Sequence, residues 1–181
     1  MRKKNGRGSC FLAVALCVGL VTVAGADVLE VAPTTAAVTA DDESGITKVV
    51  VSFDLSRLRS GEGREIHHAL VQWTVAGVPS DEVSEYAAYG VTEAWTAAGV
   101  GENGIPDSDA DACGRWDIYP RDYERNNGGF VKLDVRDLVE EWAAGERTNY
   151  GLVLEMSDLN GASLVNQLGN IRLLLRYGFD Q

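Results

Sequence analysis

Three aspartates at alternating positions, Asp107, Asp109 and Asp111, open the stretch of this chain best equipped for chemistry. Carboxylates in that spacing can turn their oxygens onto a hard cation when the backbone curls, which makes the three residues candidate calcium ligands. An EF-type loop counted from Asp107 would need Gly at its sixth position and Glu at its twelfth, where Ala112 and Ile118 stand instead. The segment is therefore an oxygen-rich loop. It either holds calcium or forms an ordinary solvated acidic surface. Just after it come Trp116, Tyr119 and Tyr123, interleaved with Arg115, Arg121, Arg125 and three acids. Aromatic faces stack on the apolar face of a sugar ring, and the flanking charges hydrogen-bond its hydroxyls. Tyr and Trp also tolerate a half-wet position. Trp116, Tyr119, Tyr123 and Arg121 are the candidate ligand-binding residues. The competing reading is that these rings fold back and cap the core of the domain.

Catalytic constellations do not emerge. No Gly-x-Ser-x-Gly, His-Glu-x-x-His or phosphate-binding loop occurs in the chain. His67 and His68 are the two histidines. Neighbours on a strand point to opposite faces, so these two cannot share a metal there. Cys113 lies among carboxylates, which disfavour a thiolate. The chain is read as non-enzymatic.

The elements that must position these groups are short strands. Val49, Val51, Phe53 and Leu55 recur with period two, as do Ala69, Val71, Trp73 and Val75, and then Val131, Leu133 and Val135. Tyr86 to Val91 forms another strand. Residues 27–45 hold an edge strand followed by a Thr/Ala/Asp-rich loop. Asp134 suits a helix start. Leu138, Val139 and Trp142 share one helical face, and Gly145 suits the left-handed stop, so a helix spans about 135–144. Trp73, Trp95 and Trp142 read as core anchors. Turn signals roughly every ten residues argue for an antiparallel, jelly-roll-like β-sandwich. The stretch 99–129 keeps no period and reads as a long loop insert.

Residues 1–26 have the build of a secretory signal peptide. Arg2, Lys3, Lys4 and Arg7 precede an apolar run from Phe11 to Val23, and Ala24-Gly25-Ala26 offers a small-x-small cleavage site. The run is short for a spanning helix. An uncleaved anchor, or a lipid anchor at Cys17, are the alternatives. The expected product is a single domain over 27–181, secreted, periplasmic or on the cell surface, with no membrane span after cleavage. With 27 acids against 16 bases the full chain has a net charge of −11. Loss of the four leader cations takes it to −15. Such a surface argues against nucleic acid and anionic lipid as partners. One cysteine, Cys113, remains after cleavage, so no internal disulfide can form.

Several segments in chain order resemble the DNRLRE domain family of secreted bacterial β-sandwich modules. LDVRDLVEEWAAGERTNYGLVL (133–154) is similar to the family's strand–helix–strand motif. VVVSFDLSRL (49–58), YGVTEAW (89–95) and IRLLLRY (171–177) are similar to three of its strands. Departures are the N-terminal strand, which is not recognisable in 27–45, a missing second Trp motif, and the insert at 97–129. The family is similar to a group of polysaccharide-binding modules. The resemblance thus implies a β-sandwich that binds polysaccharide, or a structural component of the envelope or an extracellular assembly without a glycan ligand.

Overall fold

The structure is a computed structural model of the chain. It describes residues 20–23, 26–41, 46–56, 58, 64–75, 83–121, 129–156 and 170–179. Among the described residues, ten strands and two helices follow in order: β1 (Leu20–Val23), β2 (Ala26–Val31), β3 (Pro33–Asp41), β4 (Ile46–Phe53), β5 (Arg64–Val75), β6 (Ser84–Gly90), α1 (Ala97–Asn103), β7 (Gly114–Ile118), β8 (Gly129–Asp134), α2 (Arg136–Ala144), β9 (Leu152–Met156) and β10 (Arg172–Phe179). The strands form two antiparallel sheets, ordered β1-β2-β10-β5-β8 and β3-β4-β9-β6-β7. Successive strands from β4 to β10 cross between the sheets at every step but one, the β6–β7 pairing. The β2-β10-β5-β8 and β4-β9-β6-β7 quartets have jelly-roll order. The expected all-β sandwich is the observed architecture.

Period-two burial builds the interior. Val71, Trp73, Val131, Leu133, Leu173 and Leu175 turn inward from the first sheet. Val49, Val51, Phe53, Tyr86, Leu152 and Leu154 meet them from the second. The indole of Trp73 and the ring of Tyr86 contact edge to face across the sandwich, 5.8 Å between centroids at 71°. Such a pair contributes about 0.5–1.5 kcal/mol beyond the area it buries. A second cluster, Val50, Val91, Val100 and Val153, lies on the outer face of the β3–β7 sheet. Trp95 and Tyr150 pack against it, and the Trp95 Nε1–H donates to the Tyr150 carbonyl at 2.6 Å.

The helix read over 135–144 is α2. Leu138, Val139 and Trp142 are its buried residues. Asp134, expected to cap its start, stands one position ahead of the capping residue: Oδ1 accepts from the Arg136 N–H at 3.0 Å, while Val135 at the cap makes no side-chain bond. Gly145 ends it at φ 75°, ψ 13°. That left-handed geometry costs a glycine nothing and other residues something.

Three features differ from the sequence reading. Residues 33–41, read as loop, are an edge strand, β3, paired along β4. The insert at 99–129 is not one loop, because Gly114–Ile118 forms β7 against β6. A second helix, α1, starts at Ala97. Its sequence, with two glycines in seven residues, has poor helix propensity. Two local devices hold it: Thr96 Oγ1 accepts from the Gly99 N–H at 3.0 Å, and Val100 is buried. Within the expected leader, Leu20–Val23 pairs with β2 as a short outer strand. Cleavage after Ala26 would remove that strand and leave β2 at the edge. Among the described residues no helix is long and apolar enough to cross a membrane.

Candidate functional site

β7 runs up one border of the sandwich and β8 returns down it in the other sheet. Gly114 makes the approach possible, since a Cβ there would lie 2.5 Å from the Asp134 carbonyl oxygen. Chain direction then sets the end of β7 beside the start of β8. On or next to these two border strands and the start of β6, the described residues leave their large apolar side chains in water. Val83, Trp116, Tyr119 and Phe130 are 40, 39, 44 and 39 % exposed. Ser84 pairs with Ile118, so Val83 and Tyr119 extend neighbouring strand ends. Trp116 pairs opposite Tyr86 and continues that inward-facing row to the margin, where the core no longer covers it. Each of two rings carries a cation. The Arg121 guanidinium carbon is 5.4 Å from the Tyr119 ring centroid, and Lys132 Nζ is 5.1 Å from that of Phe130.

Trp116, Tyr119 and Arg121 are exposed on or just after β7. Tyr123 lies outside the described residues. Phe130 and Val83 were not anticipated. Phe130 stands in the outward register of a strand whose inward residues are apolar, and a large ring in an outward slot was the available signal.

The aspartates have a different setting. The segment holding them runs back along the end of β6. The Asp109 N–H donates to the Gly90 carbonyl at 2.9 Å and the Cys113 N–H to the Ala88 carbonyl at 2.8 Å. The Thr92 N–H donates to the Asp107 carbonyl, while the Asp107 N–H donates to Glu93 Oε1. Asp109 Oδ2 lies 2.8 Å from Arg147 Nη2, an ion pair that ties the insert to the turn after α2. Gly90 leaves room for the pair: a Cβ there would fall 2.6 Å from Asp109 Oδ2 and 2.7 Å from Arg147 Nη2. Asp107 and Asp111 are exposed. Among the described residues no three His, Cys, Asp or Glu side chains gather as a metal-binding group. Calcium at Asp107, Asp109 and Asp111 would require Asp109 to leave Arg147.

His68 is exposed and His67 half-buried on β5. Cys113 has solvent on one side, but its thiol donates to the Ala88 carbonyl at 3.2 Å. Burial of the sulfur pushes its pKa up to about 11, with Asp109 and Asp134 adding to the rise. Such a thiol is a poor nucleophile at neutral pH. No known protein-family model matches the chain, and no curated protein matches it.

Proposed function

We propose that the chain is an exported, non-catalytic β-sandwich module that binds carbohydrate at the β6–β8 border. The observation that carries this reading is that, among the described residues, the large apolar side chains left in water all lie on or next to β6, β7 and β8, and three of them are aromatic. Exposed apolar clusters rimmed by polar groups mark binding surfaces. Rings flanked by Arg121 and Lys132 suit a ligand with apolar ring faces and a polar periphery, which describes a saccharide. The leader-like residues 1–26 support export. The resemblance to DNRLRE domains, themselves similar to polysaccharide-binding modules, supports the ligand class. Binding at the border draws on no metal. The test is affinity electrophoresis through gels holding individual polysaccharides. Retardation that the double variant W116A/Y119A loses, while a cooperative melt shows it still folded at the gel temperature, supports the reading. Equal mobility in every gel contradicts it.

A second reading, a structural or assembly component, is favoured by the β2 edge. β1 shows that this edge accepts an antiparallel strand, and leader removal would leave it open to one from another chain. Concentration-dependent oligomers in light scattering would support it, and a strict monomer would count against it.

A further inference from the structure

The two borders of the sandwich are built differently. At one, β7 and β8 close on each other, with Gly114 against the Asp134 carbonyl. Counted from there, the sheets run β8-β5-β10-β2-β1 and β7-β6-β9-β4-β3. β1 and β3 are thus the fifth strand of each sheet and share the far border. β1 belongs to the leader, so cleavage after Ala26 takes it away and leaves four strands over five.

The result is a groove one strand wide. Its wall is the edge of β2, which β1 pairs through Leu20↔Leu29, Val21↔Val28 and Thr22↔Asp27. Its floor is the inward face of β3. Ala36 and Val38 lie there in register with the core residues Val51 and Val49, and both are half-buried against the core. Leu29 and Val31, 2 and 4 % exposed with β1 in place, form the inner corner. Backbone groups released along the wall and small apolar side chains on the floor are what an extended peptide needs. The edge is also undefended. Residues 27–31 read Asp-Val-Leu-Glu-Val, without proline, glycine or lysine. The neighbouring edge, β3, starts at Pro33, shifts register between Pro33 and Thr35, and has α1 packed on it.

Geometry selects the occupant. A second folded copy cannot lay its own β2 along this one, because each sandwich carries β3 one strand beyond β2. The β3 strand of one copy would fall where β4 of the other already runs. One strand spacing of about 4.8 Å above β3 admits a single extended chain. The seated β1 shows its chemistry: antiparallel, Leu-Val-Thr-Val, uncharged, with leucine at the position opposite Leu29. We infer that the exported module takes, along β2 and over β3, an extended segment of a partner protein. That segment is uncharged and rich in β-branched residues, and it places a large aliphatic residue opposite Leu29. This names the kind of partner for the assembly reading, on which it rests. It is independent of what the β6–β8 border binds, since β2 and β8 lie at opposite ends of their sheet once β1 is gone.

The probe is a labelled peptide with the sequence of residues 18–24, Val-Gly-Leu-Val-Thr-Val-Ala. Fluorescence anisotropy and thermal melts compare the protein that begins at Asp27 with the protein that begins at Leu20. Saturable binding to the shorter chain, with a raised melting temperature, is expected. The longer chain fills its groove with its own β1 and should ignore the peptide. The L20D peptide should bind the shorter chain at least about tenfold more weakly, since a buried aliphatic contact is lost. Equal binding of the peptide to both chains, or equal binding of the L20D peptide, overturns the groove. An exported protein whose intact mass retains Leu20–Val23 also overturns it, because the groove is then closed by its own chain. Oligomers of the shorter chain without peptide binding overturn the groove and leave the assembly reading standing. A strict monomer that ignores the peptide overturns both.

Discussion

Substituting Gly114 by alanine tests how the border is closed. The added Cβ would lie 2.5 Å from the Asp134 carbonyl oxygen and 3.3 Å from the Asp134 carbonyl carbon and nitrogen. Ordinary contact begins near 3.4 Å, so β7 must retreat from β8 by about 0.9 Å, or the Asp134 peptide must turn. Neither is easy. The Gly114 backbone is paired to Ala88, and Asp134 opens α2 through its bond to the Arg136 N–H. Overpacking of rigid neighbours costs about 1–3 kcal/mol. With a urea m-value of about 2 kcal/mol per molar, the unfolding midpoint should fall by roughly 0.5–1.5 M. The assay is equilibrium urea denaturation followed by tryptophan fluorescence. Glycan binding should weaken in the same variant under native conditions, because Trp116 lies two residues along β7. A midpoint within about 0.2 M of wild type would refute the close approach of β7 to β8.

Other consequences are more local. Gly145 has open space around it but φ 75°, so G145A should cost about 1 kcal/mol and G145N less, read from the same urea curves. Cys113, with its pKa raised to about 11, keeps roughly one thiolate per thousand molecules at pH 8. Its reaction with a disulfide reagent should be more than about 100-fold slower than that of a free cysteine and should climb with pH until near 11. Fast labelling at pH 8 would contradict the buried setting of the sulfur. Calcium at 100 times its Kd would add about 2.7 kcal/mol to a protein that binds it. The hold of Arg147 on Asp109 predicts no such shift in a thermal melt, and a clear one would return Asp107, Asp109 and Asp111 to a metal role.

Much of the sandwich was legible because period-two burial is intact in β4 and β5, which lie between neighbours, and in β8, an edge strand paired along β5. β4, β5 and β8 each show an apolar row facing the core. The α2 segment was legible through local rules, an aspartate before the first turn and a glycine after the last. The edge strands β3 and β7 were not. β7 is five residues long, begins with Gly114, and exposes three of its side chains, so its alternation is too short to register. β3 is rich in Ala and Thr, and its side chains between Thr34 and Thr39 are exposed or half-buried. α1 depends on a cap and one buried valine rather than propensity. At the border, Trp116, Tyr119 and Arg121 followed from residue type. Phe130 did not, since its neighbour in the sheet, Thr74, is distant in sequence. The pairing of Asp109 with Arg147 is likewise a product of topology, joining the insert to the end of α2.

Affinity electrophoresis of wild type beside W116A/Y119A, through gels of neutral and carboxylated polysaccharides, addresses the central claim most directly. Trp116 and Tyr119 are 39 and 44 % exposed, so the double variant also loses some buried surface, and mobilities are compared well below its own melting point. The account predicts retardation of wild type by at least one polysaccharide and free migration of the variant. Identical mobility of the two proteins in every gel would contradict it.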